Sequence, residues 1–203
     1  MDAFPDGFFD RGDPAPDDHF YDVPRLVTHI DAGAIHEVGR LYDELGIDGT
    51  VLDLMSSWVS HFHTPPAHLT VLGMNGDELD ANSAASERVV HDLNDEPTLP
   101  FGDDQFDAAV CCVSVDYLVR PIEVFREVCR VLRPGGPFVC TFSNRLFPTK
   151  AIRGWLATDD QDHCAIVATY FREAGGWSDP VAELRTPLSR PGDPLYAVYA
   201  RCL

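Results

Sequence analysis

His61, His63 and His68 crowd together just beyond the serine pair Ser56 and Ser57. Imidazoles so placed could hold zinc through the His-x-His unit, or one could serve as a base. No fourth ligand follows at a recognisable spacing, and on a helix residues two apart face different ways. No metal is therefore expected, and His61 and His63 stand as candidates for proton transfer or substrate contact against the plainer reading of loop histidines. The serines fall where a strand gives way to a turn, the seat of a hydrolase nucleophile. That strained elbow needs flanking glycines, and neither serine has one. Farther along, Asn144, Arg145 and Lys150 follow the apolar run 138–143. At the carboxyl end of a strand they are placed to hold a substrate. A capped turn with two solvated cations is the alternative. Six cysteines include no CxxC unit and sit mostly in apolar runs, so buried free thiols are expected.

The elements that must position these groups are legible as periodicity. Val51-Leu52-Asp53-Leu54-Met55 reads as a buried strand, and Ser56 and Ser57 as the start of a helix over 57–61, cut off by Pro65 and Pro66. A helix start at such a corner aims N–H groups into a ligand crevice. Ile35, Val38, Leu41, Tyr42 and Leu45 recur at helical spacing and end at Gly46. Strands are expected at 69–74, 88–93, 138–143, 177–185 and 195–202. Helices are expected at 76–86, 151–156 and 162–174, and from Pro121 to the Pro134-Gly135-Gly136 stop. Residues 1–18, rich in Asp, Pro and Gly, read as a flexible acidic lead-in on which Phe4, Phe8 and Phe9 could dock; residues 19–203 read as one domain.

Val51-Leu52-Asp53-Leu54 resembles the opening of the S-adenosylmethionine (SAM) motif of class I methyltransferases. Leu99-Pro100-Phe101, Gln105-Phe106-Asp107-Ala108-Ala109-Val110 and the stretch Pro121 to Gly136 follow in that family's order. The similarity runs from about Asp48 to the C-terminus. It implies an α/β, Rossmann-like doubly wound sheet, mostly parallel with an antiparallel C-terminal strand. It also implies SAM as cofactor: Asp53, Met55, Ser56 and Ser57 on its methionine and ribose side, Asn75 at the ribose where the family has an acid, and Asp92 and Leu93 at the adenine. Ser114 and Tyr117 would face the methyl group and substrate, Tyr117 being a further candidate catalytic group. Tyr21 and His29, ahead of the first strand, would cover the methionine end. The departure is Met55-Ser56-Ser57-Trp58, where the family has a glycine-rich turn.

Methyl transfer from a sulfonium is an in-line displacement needing alignment and exclusion of water, so no catalytic triad is required. The resemblance implies a methyltransferase acting on a small-molecule acceptor. The missing glycines keep a second reading open, a methyltransferase-like binding or regulatory protein without turnover. A net charge of −18 with arginine as nearly every strong base argues against sequence-independent nucleic-acid binding. It resembles the surfaces of proteins from salt-loving cells. No apolar run is long enough to cross a membrane, and a cytoplasmic location is expected.

Overall fold

The computed structural model describes residues 3–186 and 191–203. Two short pieces of the sequence readings, residues 1–2 of the lead-in and 187–190 of the loop before the last strand, lie outside the described residues. Seven strands form one sheet: β1 (Thr50–Leu54), β2 (His68–Gly73), β3 (Glu87–Val90), β4 (Ala108–Cys112), β5 (Pro137–Phe142), β6 (Val181–Leu184) and β7 (Tyr196–Arg201). Their order is β3-β2-β1-β4-β5-β7-β6, parallel from β3 to β5, with β7 antiparallel to both its neighbours. The expected α/β class and doubly wound sheet are what is found. The order reverses between β1 and β4, which puts a crevice at the carboxyl ends of those two strands.

Alternation along the strands explains the layers. Val51, Val110 and Val139 enter one core with Ala34, Val38 and Leu41 of α2 (Ala32–Leu45). Their neighbours Leu52, Cys111 and Phe138 point the other way, toward α4 (Pro121–Val131) and α6 (Asp160–Ala174). A period of two thus splits one apolar sequence run into two buried faces. The helix α2 ends as anticipated, with Gly46 left-handed at φ 69°. The helix after β2 is shorter than the expected 76–86, running as α3 from Gly76 to Ala81.

Two expectations fail. No helix follows β1: residues 55–67 cross to β2 as an irregular loop, so no helix start faces the crevice at that corner. Ser56 and Ser60 donate their hydroxyls to Asp53, at 2.7 and 2.6 Å, and Asn82 Nδ2 donates to Ser57 O at 3.0 Å. Side chains thereby satisfy groups that a helix would have paired internally. The thiols differ too: Cys129 on α4 and Cys202 after β7 form a disulfide, with Cα atoms 5.5 Å apart. Both positions read as ordinary core, and a pairing across 73 residues leaves no trace in spacing. Cys111, Cys112, Cys140 and Cys164 are free.

The N-terminal residues lie against the body. Phe4, Phe8 and Phe9 pack on the α4/α6 face, Phe4 meeting Tyr170 at 5.5 Å. A one-turn helix, α1 (Asp17–Tyr21), then leads into a strap, residues 22–30, tied to Trp58 after β1 and to Asn75 and Glu78 after β2. Lys150 anchors this region from beneath: it is fully buried, with Nζ 3.0 Å from both Asp13 Oδ2 and Asp17 Oδ1.

Candidate functional site

The crevice closes into a cavity of about 360 Å³. Its floor is the end of β1, where Asp53 is 4 % exposed and receives only the two serine hydroxyls. Burial pushes this carboxyl up to about 6, the two hydroxyl bonds only partly opposing it. Immediately after it, Met55 is left-handed at φ 52°, and Val113, after β4, at φ 47°. Both conformations suit glycine, and for a β-branched residue such as Val113 one is a true outlier. The two strained residues flank the switch point, and Ser114 Oγ donates to Met55 O and Cys112 O, joining the ends of β1 and β4.

The loop from Met55 to Ser60 forms one wall. Ser56 N donates to Leu72 O at 2.8 Å, which lays the Ser56 carbonyl directly over Gly73. A side chain on Gly73 would occupy that carbonyl's place, so β2 has to end in glycine here. Ser57 Oγ donates to Glu78 Oε2 at 2.6 Å, and Glu78 Oε1 accepts from Arg25 N, also at 2.6 Å. One carboxylate on α3 therefore ties loop and strap together. Trp58 Nε1 adds a second tie, to Val27 O at 3.0 Å.

Asn75 caps α3 by accepting from Glu78 N, and its amide donates to Tyr21 O at 2.7 Å and Asp22 O at 3.2 Å. It lines the cavity as expected, with its polar atoms spent on cap and strap. Asp92 accepts from Asn94 N, and Asn94 in turn donates to Asp17 and Tyr117 O and accepts from Val119 N. The Tyr117 hydroxyl receives Phe147 N at 2.9 Å, drawing the loop after β5 over the opening.

Of the residues singled out by sequence, Asp53, Met55, Ser56, Ser57, Asn75, Asp92, Leu93, Ser114, Tyr117, His61 and Arg145 line this cavity. Three do not. His63 turns onto α2, its Nδ1 2.7 Å from Asp43 and its Nε2 3.1 Å from His36. Asn144 is exposed, and Lys150 is committed to Asp13 and Asp17. Arg145, though at the rim, pairs with Asp193 at 2.8 Å. Sequence reasoning missed Glu78, Asn94 and Arg25. Glu78 falls within the expected helix 76–86, and its one local signal is its position three residues after Asn75, as in a helix cap. No group of three or more His, Cys, Asp or Glu suited to a metal occurs among the described residues. Nor is any helix among them long and apolar enough to cross a membrane.

Residues 54–140, which run from the floor of this cavity into β5, match the family model for a methyltransferase domain. A demethylmenaquinone methyltransferase of Mycobacterium tuberculosis is 39% identical over 71 residues, 33% of this chain and 30% of that protein. The chain spans less than a third of the length of the curated relatives it matches. Among solved structures, a chain in the Haloferax volcanii complex of the Trm112 methyltransferase activator with a methyltransferase superposes with TM-score 0.59. It is 16% identical, over 83% of this chain and 90% of that one. Phosphoethanolamine N-methyltransferase 2 of Haemonchus contortus, in complex with SAM, superposes with TM-score 0.55 at 12% identity, over 82% and 52%. The sheet order and these neighbours show a fold shared with known methyltransferases.

Proposed function

We propose that this chain, which shares its fold with known methyltransferases, binds SAM in the cavity between β1 and β4 and transfers its methyl group to a small-molecule acceptor. The observation that carries the reading is Asp53: a buried carboxylate at the end of β1, underpaired, in a chain whose next residues match a methyltransferase domain. Such a carboxylate is relieved by a cationic ligand, and the amino group of SAM is one. Asp92 and Leu93 hold the adenine end. Asn75 lacks the charge expected at the ribose, and Glu78, beside it in space, supplies the acid in its place. When bound, SAM supplies an electrophilic methyl group. The protein's own residues orient the acceptor and, through strap and Trp58, exclude water.

Calorimetric titration with SAM and S-adenosylhomocysteine tests this, repeated on Asp53→Asn and Glu78→Gln. Micromolar binding, about −8 kcal/mol, is expected for the unaltered chain. A loss of at least tenfold is expected for each variant. Absence of binding by both ligands overturns the reading. The result would favour instead a protein that kept the fold without turnover, a view supported by the strained Met55 and by the commitment of Asn75 to the strap. The acidic surface goes with work at high salt in the same proposal, since counterions screen its repulsion.

A further inference from the structure

Six of the eight histidines have a partner. His19 faces Asp18, His68 faces Glu87, His63 lies between Asp43 and His36, His91 meets Glu96 O, and His163 meets Trp155 O. His29 and His61 have no hydrogen-bond or ion-pair partner among the described residues, and both line the cavity. They come from different elements, His29 from the strap and His61 from the loop after β1. A half-buried imidazole such as His61, left unpaired inside a ligand cavity, is costly unless a ligand uses it, and the more exposed His29 stands free on the same lining to bind one. Around them the lining is aromatic: Phe147 meets the His29 ring edge-on at 5.3 Å, and Tyr117 lies 6.1 Å from Phe147.

We propose that His29 and His61 form a proton-accepting pair for an acceptor that carries a ring hydroxyl, seated flat against the Phe147 and Tyr117 side of the cavity. This rests on the methyltransferase reading above. In the step, the acceptor O–H breaks and its proton passes to an imidazole nitrogen. The oxygen's electron pair forms the bond to the methyl carbon, while the pair of the broken carbon–sulfur bond stays on sulfur as a neutral thioether. The imidazolium returns its proton to water. Burial lowers the pKa of both rings, so the proton-accepting form prevails at neutral pH. Charge at His29 lowers His61 further, Glu78 favours the His29 cation, and Arg25 opposes it.

Histidine-labelled full chain in molar KCl, followed by NMR through a pH titration, tests the pair without any turnover. Both rings are expected to titrate below free histidine, and His29→Gln is expected to raise the midpoint of His61. In the chain saturated with S-adenosylhomocysteine, phenol is expected to shift both ring signals and anisole to shift neither. His29→Gln and His61→Gln should each weaken phenol at least tenfold while S-adenosylhomocysteine still binds. Ordinary, independent titrations overturn the pair. Absent phenol binding, or equal effects of phenol and anisole, overturns the ring-hydroxyl acceptor. Failure to bind S-adenosylhomocysteine counts against the methyltransferase reading instead, and the titration of the unloaded chain still decides the coupling.

Discussion

Asp53 shows what a single residue concedes to a ligand site. Its carboxyl is raised from 3.8 to about 6 by burial, so it favours the folded state while protonated and ceases to do so as pH rises through about 6. The difference is on the order of 3 kcal/mol lost above that pH. Asp53→Asn is therefore expected to unfold at higher urea than the unaltered chain at pH 8, by the equivalent of about 1–2 kcal/mol. At pH 4.5 the gap should close. Equal gaps at both pH values would show that Asp53 is not strained by its burial. Asp116, fully buried with Oδ2 unpartnered and pushed up to about 8, shifts both chains alike and drops out of the comparison. Met55 is the second local cost: Met55→Gly should raise stability by about 1 kcal/mol, seen as a melting temperature about 2–4 °C higher. A lower melting temperature would mean that the methionine side chain contributes more by packing than its backbone costs. Asp53 and the serines after it were readable in the sequence because strand, acid and small polar residues are contiguous. Glu78 and Asn94 were not, because what makes them part of the site is contact with residues 21 and 77 positions away.

Among the elements, the loop 55–67 departs most from what its sequence suggests. Ser56 and Ser57 are local signals for a helix start, and they are used instead to reach Asp53 and Glu78, the second a partner 21 positions away that the local pattern cannot reveal. By contrast α2, with its periodic apolar face and Gly46 stop, declared itself at both ends, because everything that defines it lies within its own turns. The strand cores were equally plain, since alternation is a local property, while their ends slid by one to four residues. The loop depends on Gly73, over which it is pressed. Gly73→Ala is expected to destabilise the chain by about 2 kcal/mol or more, as overpacking against backbone does, and to abolish SAM binding. Retained affinity with retained stability would mean that the Ser56 carbonyl can lift away freely. The strap makes a separate case. Lys150→Met removes the cation between Asp13 and Asp17 and leaves the buried Asp17 with Arg11 but without its second cation, so the melting temperature is expected to fall. Hydrogen exchange should then rise first over residues 10–30, and uniform loss of protection would deny the strap any independence.

At the scale of the whole molecule, charge dominates. With a net charge of −18, repulsion is spread over the entire surface, and most of the arginines are already taken into ion pairs such as Arg130 with Glu127 and Arg185 with Glu44. The melting temperature should climb by several degrees between dilute buffer and molar KCl, where the screening length falls to about 3 Å. A salt-independent melt would remove the high-salt reading. The anchoring of the N-terminal residues has one more consequence. Lys150 is the chain's one lysine, and it lies wholly inside, under residues 13–17. A protease that cuts only after lysine thus meets a polypeptide with a single scissile bond, shielded for as long as those residues stay seated. The pace at which fragments 1–150 and 151–203 appear is a clock for unlatching, and a ligand that holds the strap down should slow it in proportion to its occupancy.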